Sequence, residues 1–409
     1  MMRQLVKTCG ATPASWRRLT WAVTTRRVAL VLLLPLGLVL LLAHTQARAA
    51  ADALPYRVDT VAAGLQFPWA LGFLPDGRAL VTERAGRLRV LEPLPGGGHR
   101  LRPEPVAGVP AVFAQGQAGL FDLLVDPDFA RNGRIFLSYA HGSFEANHLR
   151  VVSARFDGQQ LLNLQVLFTS QPAKTHAQHF GGRMALMPDG TLVVSVGDGN
   201  LERTDAQRLH THLGKLVRVT AEGQVPSDNP FLGQAGALPE IYSRGHRNPQ
   251  GLVWVPAGEG RAGALFAHEH GARGGDELNR IEPGLNYGWP LTTDGVDYTG
   301  ARITPFSALP GVTPPLLHWT PSIAPAGMAW YDGALFPAWR GSLFVAALKE
   351  GSVRRVEMKA GQPLRQDLPQ ETLFTELGER LRDVRSGPDG ALYLLTDSEQ
   401  GRVLRVSPR

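Results

Sequence analysis

Polar side chains that can bind ligands or carry protons stand together in the segment GHRNPQG, residues 245–251. Between its two glycines lie His246, Arg247, Asn248 and Gln250, and the segments on either side have the composition of strands. Arginine presents a planar fork of donors to carboxylates, and asparagine offers both a donor and an acceptor. The segment therefore predicts a binding site where a strand ends, with bracing of neighbouring loops as the alternative.

Two further candidates stand beside glycines. His179, in HAQHFGGRM, precedes a strand, and a histidine that titrates near neutrality suits a general base. Gln117 lies between glycines in QGQAGLFDL. A lone histidine is more often structural, His176 is a nearby competitor, and a turn amide often caps local backbone groups. Both interpretations stay open for His179 and for Gln117.

Three more cations follow near the C-terminus, namely Lys349 in ALKEG and the pair Arg380 and Arg382 in ERLRDV. The two arginines alternate, so on a strand their side chains face the same way. If these three and Arg247 face one channel, they form a strongly cationic pocket suited to a polyanionic ligand. The alternative is four unrelated surface cations, and spacing alone does not remove it.

A glycine-rich acidic segment, HEHGARGGDELNRIEPGLNYGWP, spans residues 268–290. Its carboxylates are Glu269, Asp276 and Glu277. Carboxylates among flexible backbone carbonyls suit Ca²⁺, although the spacing is not that of an EF-hand. The alternative is a salt-bridged loop that involves Arg273 and Arg280. A zinc site at HEH is disfavoured, because strand alternation puts its two histidines on one face with no third ligand evident.

The N-terminus has the pattern of an export signal. Arg26 and Arg27 precede an uncharged apolar run at residues 29–43, and small residues suited to cleavage follow near Ala49 and Ala50. Fifteen residues are short for a transmembrane anchor, which is the alternative. The paired arginines also hint at twin-arginine export. We therefore expect residues 1–50 to be a signal peptide and the mature protein to be periplasmic or secreted.

Export changes the meaning of the composition. Removing the seven basic residues at positions 1–50 from the 42 in the chain leaves 35, against 36 acidic residues. A basic nucleic-acid-binding surface is therefore not indicated. The only cysteine, Cys9, lies in the same segment, so thiol catalysis, disulfides and cysteine-based zinc sites are excluded from the mature chain.

The elements that must position these residues repeat along the chain. A strand, a Pro-Asp-Gly turn and a second strand recur at residues 69–91, 182–199 and 382–406, with looser copies at 120–140, 251–271 and 327–348. Six copies, roughly 60 residues apart, predict an all-β, six-bladed β-propeller as a single domain over residues 51–409. A pair of β-sandwiches explains the strands but not the repeated unit. Loops from several blades converge at one face of a propeller, where sites usually form.

Taken together, the clusters resemble the soluble quinoprotein sugar dehydrogenases, which are propeller enzymes that use pyrroloquinoline quinone (PQQ). The resemblance runs from LQFPWALGFLPDGRALVTER to RDVRSGPDGALYLLTD, and its most specific pieces are GHRNPQG, EHGARGGDELN, NYGWP and RLRDV in that order. The chain looks closer to the compact aldose sugar dehydrogenases than to the glucose dehydrogenase with long insertions. The resemblance implies oxidation of aldoses at the anomeric carbon to lactones, with hydride transfer to calcium-bound PQQ and an external electron acceptor.

The resemblance also implies roles for individual residues. His179 matches the general base that takes the sugar hydroxyl proton. The positions that match residues around PQQ are Gln117, Arg247, Asn248, Tyr298, Lys349, Arg380 and Arg382. The carbonyls of Gly271 and Ala272 match the loop that holds the calcium ion touching PQQ, and Glu277 and Tyr287 match a second calcium position.

Two positions depart from the family pattern. Gln178, before the base, replaces an acid of the glucose-specific relatives, and Ala272 stands where relatives often have proline. Two other functions remain as alternatives. A calcium-dependent propeller lactonase or other hydrolase needs the acidic loop but no cationic pocket. A non-catalytic binding module needs neither, because fold does not fix function. Substrate choice is expected in loops such as 294–320.

Overall fold

The computed structural model describes residues 55–95, 98–258, 262–358 and 368–409. Within these ranges the chain forms six four-stranded antiparallel sheets, which confirms the prediction of an all-β, six-bladed propeller. Tyr56–Arg409 is one compact unit. The predicted signal peptide, residues 1–50, lies outside the described residues. The helical elements found in the described ranges are α1 (Phe129–Asn132), η1 (Arg203–Gln207), η2 (Pro337–Trp339) and η3 (Thr375–Leu377), of which the last three are 3-10 turns.

Each predicted strand–turn–strand repeat forms the first two strands of a sheet. In the first sheet, Gly77 closes the turn with a φ of +86°, which other residues rarely adopt, and Asp76 Oδ1 accepts the Arg78 N–H at 3.0 Å. The repeat therefore encodes the hairpin locally. The strands of this sheet are β2 (Pro68–Phe73), β3 (Ala79–Glu83), β4 (Arg87–Pro93) and β5 (His99–Leu101).

The next three sheets repeat this order along the chain. The second contains β6 (Leu120–Val125), β7 (Arg134–Gly142), β8 (Asn147–Phe156) and β9 (Leu161–Thr169). The third contains β10 (Gly181–Leu186), β11 (Leu192–Val196), β12 (Lys215–Val219) and β13 (Ile241–Arg244). The fourth contains β14 (Pro249–Val255), β15 (Ala264–Glu269), β16 (Asp276–Ile281) and β17 (Leu317–Trp319). GHRNPQG thus carries the chain from the third sheet to the fourth.

The last sheet closes the ring with a strand from each end of the described chain. The fifth sheet contains β18 (Pro325–Tyr331), β19 (Ser342–Ala347), β20 (Ser352–Glu357) and β21 (Gln370–Leu373). The sixth contains β22 (Leu381–Ser386), β23 (Leu392–Thr396), β24 (Gly401–Pro408) and β1 (Tyr56–Leu65). β1 pairs with β24, with Tyr56 opposite Pro408, and β2 contacts β22. No helix in the described ranges is long and apolar enough to cross a bilayer.

The second strand of each sheet lies in the core. β3, β11, β19 and β23 are buried along their whole length, and their sequences ALVTE, LVVSV, SLFVAA and LYLLT are short runs dominated by apolar residues. Such runs are typical of strands covered on both faces, here by the neighbouring sheets. Each buried leucine or valine contributes about 1.5–3 kcal/mol to stability. This packing fixes where the strands begin and end.

Strand direction brings the candidate residues to one face of the ring. Antiparallel pairing puts the start of each first strand and the end of each second strand at the same edge of a sheet. The polar residues that precede first strands are Gln117, His179, Arg247, Asn248 and Arg380. Those that follow second strands are Arg84, Asp198, Gly271, Lys349 and Asp397. The Pro-Asp-Gly turns lie at the opposite edge.

Candidate active site

His179 and Asp198 form a buried hydrogen-bonded pair at this face. His179 Nδ1 lies 2.6 Å from Asp198 Oδ1, and both side chains are almost completely shielded from solvent. Because an ionised carboxylate can only accept, Nδ1 carries the proton and Nε2 keeps its lone pair. Nε2 makes no hydrogen bond within the part of the chain that the structure describes. The pair therefore presents the tautomer that a general base requires.

Close backbone packing holds His179 in place. Its φ of +46° lies in the left-handed region that non-glycine residues rarely adopt, and its N–H donates to Gln117 Oε1 at 3.0 Å. A Cβ on Gly197 would lie 2.2 Å from the His179 carbonyl oxygen, so only glycine permits this approach. The His179–Asp198 pair therefore requires glycine at position 197.

The environment keeps the pair in the state of a neutral imidazole beside a carboxylate. Asp198 also accepts from Trp289 Nε1 at 2.7 Å and from the Asn200 N–H at 2.8 Å. Burial acts to raise the pKa of Asp198, but His179, Arg247 and the Asn200 N–H outweigh it and hold that pKa below its ordinary value. Burial lowers the pKa of His179 and outweighs the opposite effect of Asp198.

A buried lysine lies next to this pair. Lys174 Nζ donates to Asn147 Oδ1 at 2.9 Å and to the His176 carbonyl at 3.1 Å, and it lies 3.6 Å from the centre of the Phe180 ring. Burial lowers the pKa of Lys174 to about 7, against the raising effects of nearby carboxylates. Its charge contributes to the lowered pKa of His179. His176 itself, the competing histidine, is exposed and lies outside the pair.

Two amides of GHRNPQG tie the third and fourth sheets together beside His179. Asn248 Oδ1 accepts from the Gly181 N–H at 3.1 Å, and Gln250 Nε2 donates to the Gly181 carbonyl at 3.1 Å. Both amides also line the main cavity at this face. Asn248 Nδ2 and Gln250 Oε1 make no hydrogen bond within the described residues, and ligand binding by Asn248 stays a prediction.

Arg247 makes its contacts away from that cavity. Its Nη1 donates to the carbonyl oxygens of Gly271 at 2.6 Å and His270 at 3.2 Å, and its backbone N–H donates to the Glu269 carboxylate. Its guanidinium lies 5.3 Å from the Trp289 ring. Arg247 is buried and does not line the cavity. It therefore joins the glycine-rich loop after β15 to the side of the site that contains His179.

The cavity has a volume of about 250 Å³. Its aromatic lining comprises Trp69, Phe121 and Phe180. Its neutral polar lining comprises Gln117, Asn248, Gln250 and His270. Its charged lining comprises Arg84, Arg380, Arg382 and Asp397. His179 lies beside this lining, between Gln117, which accepts its backbone N–H, and its chain neighbours Phe180 and Gly181.

Two arginines share one carboxylate in the cavity wall, and a third arginine, Arg84, lines the same cavity. Asp397 binds Arg380 at 3.1 Å and Arg382 at 3.1 Å. Burial lowers the pKa of Arg382, and Arg380 and Arg84 lower it further, against the raising effect of Asp397. The four ionised side chains leave a local charge of +2. This region, which we call the cation wall, is Arg84, Arg380, Arg382 and Asp397.

A second ionic group lies in the channel between the first strands. Arg183 lies 3.4 Å from Asp122 and 3.2 Å from Asp383, and Arg385 lies 2.7 Å from each of the same carboxylates. The Arg183 guanidinium also lies 3.9 Å from the Trp69 ring, which lines the cavity. We call Arg183, Arg385, Asp122 and Asp383 the channel network. Its charges balance.

Carboxylates crowd around Glu277. Burial, together with the charges of Glu269, Asp294 and Asp276, raises the pKa of Glu277 to about 8, against the lowering effect of a hydrogen bond of 3.1 Å from Asn279. Such crowding favours a proton or a cation at this position. The expectation that these carboxylates form only a salt-bridged loop is not supported, because Arg280 lies beside Glu282 instead.

Tyr287, the other residue of the predicted second calcium position, uses its hydroxyl for the backbone. That hydroxyl donates to the Arg280 carbonyl at 2.7 Å and accepts from the Glu282 N–H at 2.9 Å. Its ring stacks on His246 with centres 4.9 Å apart. Only the main-chain carbonyl of Tyr287 is therefore left as a candidate ligand atom.

The other two predicted cofactor residues lie farther out. Lys349 lines a separate hollow of about 360 Å³ together with Glu350 and Arg354. Tyr298 is 66% exposed, with its ring centre 5.9 Å from the Arg247 guanidinium. The four predicted cations are therefore divided, because Arg380 and Arg382 share the cavity, Arg247 binds loop carbonyls and Lys349 lies in the neighbouring hollow.

The predicted calcium loop is tightly folded around Gly271. A Cβ there would lie 2.1 Å from the Gly274 carbonyl oxygen, and the Gly271 N–H donates to Asp276 Oδ1 at 2.9 Å. Ala272 is buried in the same loop. Across the described ranges, His, Cys, Asp and Glu side chains form no group arranged to hold a metal. The predicted site would instead use backbone carbonyls.

Several residues of the site were not predicted, namely Arg84, Asp198, His270, Trp289 and Asp397. The blade repeat contains a usable signal for two of them. When the repeats are aligned, an acid falls at or just beyond the end of the second strand in four sheets, at Glu83, Asp198, Glu269 and Asp397. In all four cases the acid binds a cationic or histidine side chain of this face.

The sequence matches one protein family over most of the chain. The match, to the family described as glucose/sorbosone dehydrogenase, covers residues 65–405. Among curated proteins, the Escherichia coli aldose sugar dehydrogenase YliI is 40% identical over 358 residues, which cover 86% of this chain and 93% of that protein.

Solved structures show the same likeness. A crystal structure of a glucose dehydrogenase has a TM-score of 0.80 and 45% identity, covering 86% of this chain and all of its own. The PQQ-bound aldose sugar dehydrogenase from Streptomyces coelicolor has a TM-score of 0.68 and 28% identity, covering 87% of this chain and 98% of its own.

Proposed function

The chain belongs to the glucose/sorbosone dehydrogenase family, and we propose that it is a PQQ-dependent aldose sugar dehydrogenase that converts aldoses to lactones. One observation carries the proposal. A buried histidine with a free Nε2 lies beside a cavity whose charged lining has three arginines and one carboxylate. That arrangement suits removal of a proton next to a polyanionic ligand.

The cavity residues fit PQQ, which has three carboxylates. The cation wall has an uncompensated charge of +2, and the free groups of Gln117, Asn248 and Gln250 can hydrogen-bond a planar heterocycle. A protein whose mature chain is nearly neutral needs such a local excess to hold a trianion. Arg380, Arg382, Gln117 and Asn248 would hold the cofactor, with Lys349 and Tyr298 at the outer edge.

Two places fit calcium. The His270 and Gly271 carbonyls converge on one cationic nitrogen of Arg247, so this loop already offers oxygens to a positive charge. We propose that the Gly271 and Ala272 carbonyls bind one ion there. We propose that Glu277 and the Tyr287 main-chain carbonyl bind a second ion, whose positive charge would offset the neighbouring carboxylates.

The protein's own residues would perform three tasks in turnover. Oxidation of an aldose to its lactone removes two electrons and two protons. His179 Nε2 would take the proton of the anomeric hydroxyl, while Asp198 stabilises the imidazolium that forms. Trp289 fixes the Asp198 carboxylate from its other side, so the base keeps its orientation. When bound, PQQ would supply the redox chemistry and calcium a Lewis acid.

Position 178 bears on sugar selectivity. Gln178 is exposed, and the structure shows no hydrogen bond from its side chain to the described residues. An uncharged amide at this position neither raises nor lowers the charge beside His179. We therefore propose that this enzyme accepts a range of aldoses.

The proposal includes export. Residues 1–50 would be a cleaved signal, of the twin-arginine or the general secretory type, and residues 51–409 the mature propeller in the periplasm or medium. Cell fractionation and N-terminal sequencing of the mature protein test this. A mature N-terminus far from Ala49 or Ala50, or retention in the cytoplasm, would contradict it.

Reconstitution tests the activity. Purified protein with PQQ and Ca²⁺ should reduce a dye in the presence of aldoses, and His179→Ala should bind PQQ normally but turn over about 10²- to 10⁴-fold more slowly. His176→Ala is the matched control and should keep full activity. Absence of sugar-dependent reduction across a broad aldose panel would refute the proposal. Lactone hydrolysis without PQQ would favour a hydrolase instead.

A further inference from the structure

Arg84 is a cation of the cavity wall without an ionic partner. It follows β3, and its side chain lines the cavity. Within the described residues its guanidinium makes no hydrogen bond and has no carboxylate within 4 Å. Its one side-chain partner there is the Phe67 ring, whose centre lies 4.4 Å from the guanidinium carbon. A cation–π contact of this kind leaves the N–H groups of an arginine free to donate.

Glu83 and Asp397, the carboxylates next to Arg84 in the chain and in the cavity wall, are already paired, and Glu399, which lines the second hollow with Arg84, forms no ion pair with it. Glu83, its chain neighbour, binds Arg87 at 2.6 Å and Arg89 at 3.3 Å. Asp397, across the cavity wall, binds Arg380 and Arg382. The charge of Arg84 is nevertheless close enough to lower the pKa of Arg382. The excess charge of the cation wall therefore includes a guanidinium that no carboxylate neutralises.

The backbone of Arg84 is fixed from three sheets. Its N–H donates to the Phe67 carbonyl at 3.1 Å, and its carbonyl accepts from the Leu120 N–H at 3.0 Å. Phe67, with a φ of +45°, donates its N–H to the Ser398 carbonyl at 2.7 Å. A Cβ on Gly119 would lie 2.5 Å from Arg84 Cγ, so glycine is needed there to admit the side chain. An unpaired arginine is thus held in place at some conformational cost.

We infer that Arg84 binds a carboxylate of PQQ and contributes the largest electrostatic share of cofactor affinity from the cation wall. The inference rests on the proposed function. Arg380 and Arg382 share Asp397, so each loses part of its field to that carboxylate, whereas Arg84 does not. Arg84 also lines a second hollow of about 450 Å³, so its side chain separates the cofactor cavity from that hollow. Substitutions must therefore keep its size.

The test is a spectroscopic PQQ titration of purified apoprotein in calcium buffer, without sugar or dye. Arg84→Gln should weaken binding about ten- to a hundredfold, as expected for the loss of a charge-assisted hydrogen bond. Arg84→Lys keeps the charge but not the planar fork of donors, so it should lose clearly less affinity than Arg84→Gln. In the parent protein, affinity should fall with salt more steeply than in Arg84→Gln, because one ionic contact is missing from the variant.

A matched control removes the same charge elsewhere on the same sheet. Arg100, on β5, is 68% exposed at its side chain and binds Glu92, so Arg100→Gln should leave PQQ affinity unchanged. The trimethyl ester of PQQ should bind the parent protein and Arg84→Gln with similar affinity. An unaltered melting temperature of Arg84→Gln would show that the loss is local, since the Arg84 side chain makes no hydrogen bond within the described residues and its backbone hydrogen bonds remain in the variant.

The outcomes separate the two proposals. Parent protein that fails to bind PQQ overturns the proposed function together with this inference. Parent protein that binds PQQ, with Arg84→Gln binding equally well, overturns the inference alone. Equal loss in Arg84→Gln and Arg84→Lys also overturns it, because the effect would then depend on shape and not on charge.

Discussion

The channel network and the cation wall contain the same side chains in opposite balance. In the channel, two arginines meet two carboxylates, and each arginine contacts both. The wall contains three arginines and one carboxylate, and that carboxylate pairs with two of the three arginines. Burial alone does not explain the difference, because Arg382 of the wall is 11% exposed at its side chain and Arg183 of the channel 3%, although Arg380 of the wall is 56% exposed. The ratio of carboxylates to cations distinguishes the channel network from the cation wall.

That ratio has a physical consequence. A buried ion pair costs desolvation, and removal of one partner leaves an uncompensated charge that destabilises the fold by several kcal/mol. A balanced network therefore belongs to the structure. An excess charge at a cavity is tolerated because water or a ligand can compensate it. We therefore expect changes in the channel to affect stability and changes in the wall to affect ligand affinity.

Arg183→Met is expected to have the largest effect on stability. It leaves Asp122 and Asp383 with Arg385 as their shared cation and removes the donor to the Gln250 carbonyl at 2.8 Å. The free energy of unfolding should fall by about 3–5 kcal/mol. Urea denaturation would measure this loss, and the slope of the free energy of unfolding against urea concentration should stay unchanged. PQQ affinity at low temperature should stay within about threefold of the parent value.

The exposed Arg100→Gln serves again as control and should change stability by less than about 0.5 kcal/mol. If Arg183→Met instead kept full stability and lost PQQ binding, the channel network would belong to the binding site. The contrast between the two regions would then be wrong.

Asp198→Asn tests the His179–Asp198 pair. This pair is intermediate between the channel network and the cation wall, because its two side chains bind each other while His179 Nε2 has no partner within the described residues. Asparagine cannot fix the Nδ1–H tautomer of His179, so turnover should fall about a hundredfold while PQQ affinity is kept. Stopped-flow reduction of the bound cofactor by sugar would isolate this step from dye reduction. A variant with normal turnover would show that Asp198 only supports the loop.

The pH dependence of turnover tests the direction in which Asp198 shifts the pKa of His179. His179 must be neutral to act, so activity falls as pH drops through its pKa, which burial places below the ordinary value of about 6.5. Asp198 raises that pKa, so Asp198→Asn should move the acid limb of the rate profile to lower pH. A shift to higher pH would contradict the assigned role of Asp198.

The sequence predicted what depends on local chemistry. The three Pro-Asp-Gly repeats specify a hairpin by themselves, and the three looser copies were found from the same alternation of strand-like runs and turn residues, so the first two strands of all six sheets were located. His179 was recognised as a candidate because a histidine that titrates near neutrality, placed before two glycines and a strand, suits a general base. Its partner Asp198 was not recognised, because 19 residues and two strands, β10 and β11, separate them.

The positions of the cations depended on pairing in space. In TERAGRLRV, Arg84 looks like any of three arginines, and only the structure shows that Glu83 binds Arg87 and Arg89 and leaves Arg84 without a partner. Arg247 was expected at the cofactor, but its guanidinium binds the carbonyls after β15. No spacing rule states which of two adjacent hollows a long side chain enters.

Asp397→Asn should change PQQ affinity less than Arg84→Gln does and in the opposite direction. Removal of the one carboxylate of the cation wall raises its local charge, so PQQ should bind about fivefold more tightly in low salt. The free energy of unfolding should fall less than in Arg183→Met, because water in the cavity can partly compensate Arg382 after its partner is lost. A PQQ titration would measure the affinity, and urea denaturation of the same preparation would measure the free energy of unfolding. Weaker binding would show that Asp397 orients Arg382 more than it neutralises it.

Lys349→Ala should have the smallest effect, about a threefold loss of PQQ affinity. The resemblance to quinoprotein dehydrogenases assigns Lys349 to the cofactor, yet its side chain lies in the hollow beside the cavity and is exposed to water. A solvated cation contributes less than a shielded one, because water and salt screen its field. Arg354→Ala in the same hollow is the control, since Arg354 already binds Glu350 at 2.5 Å. A loss as large as that of Arg84→Gln would mean that Lys349 moves into the cavity when PQQ binds. The cation wall would then have four cations instead of three, and the full charge excess would form only after the ligand has bound.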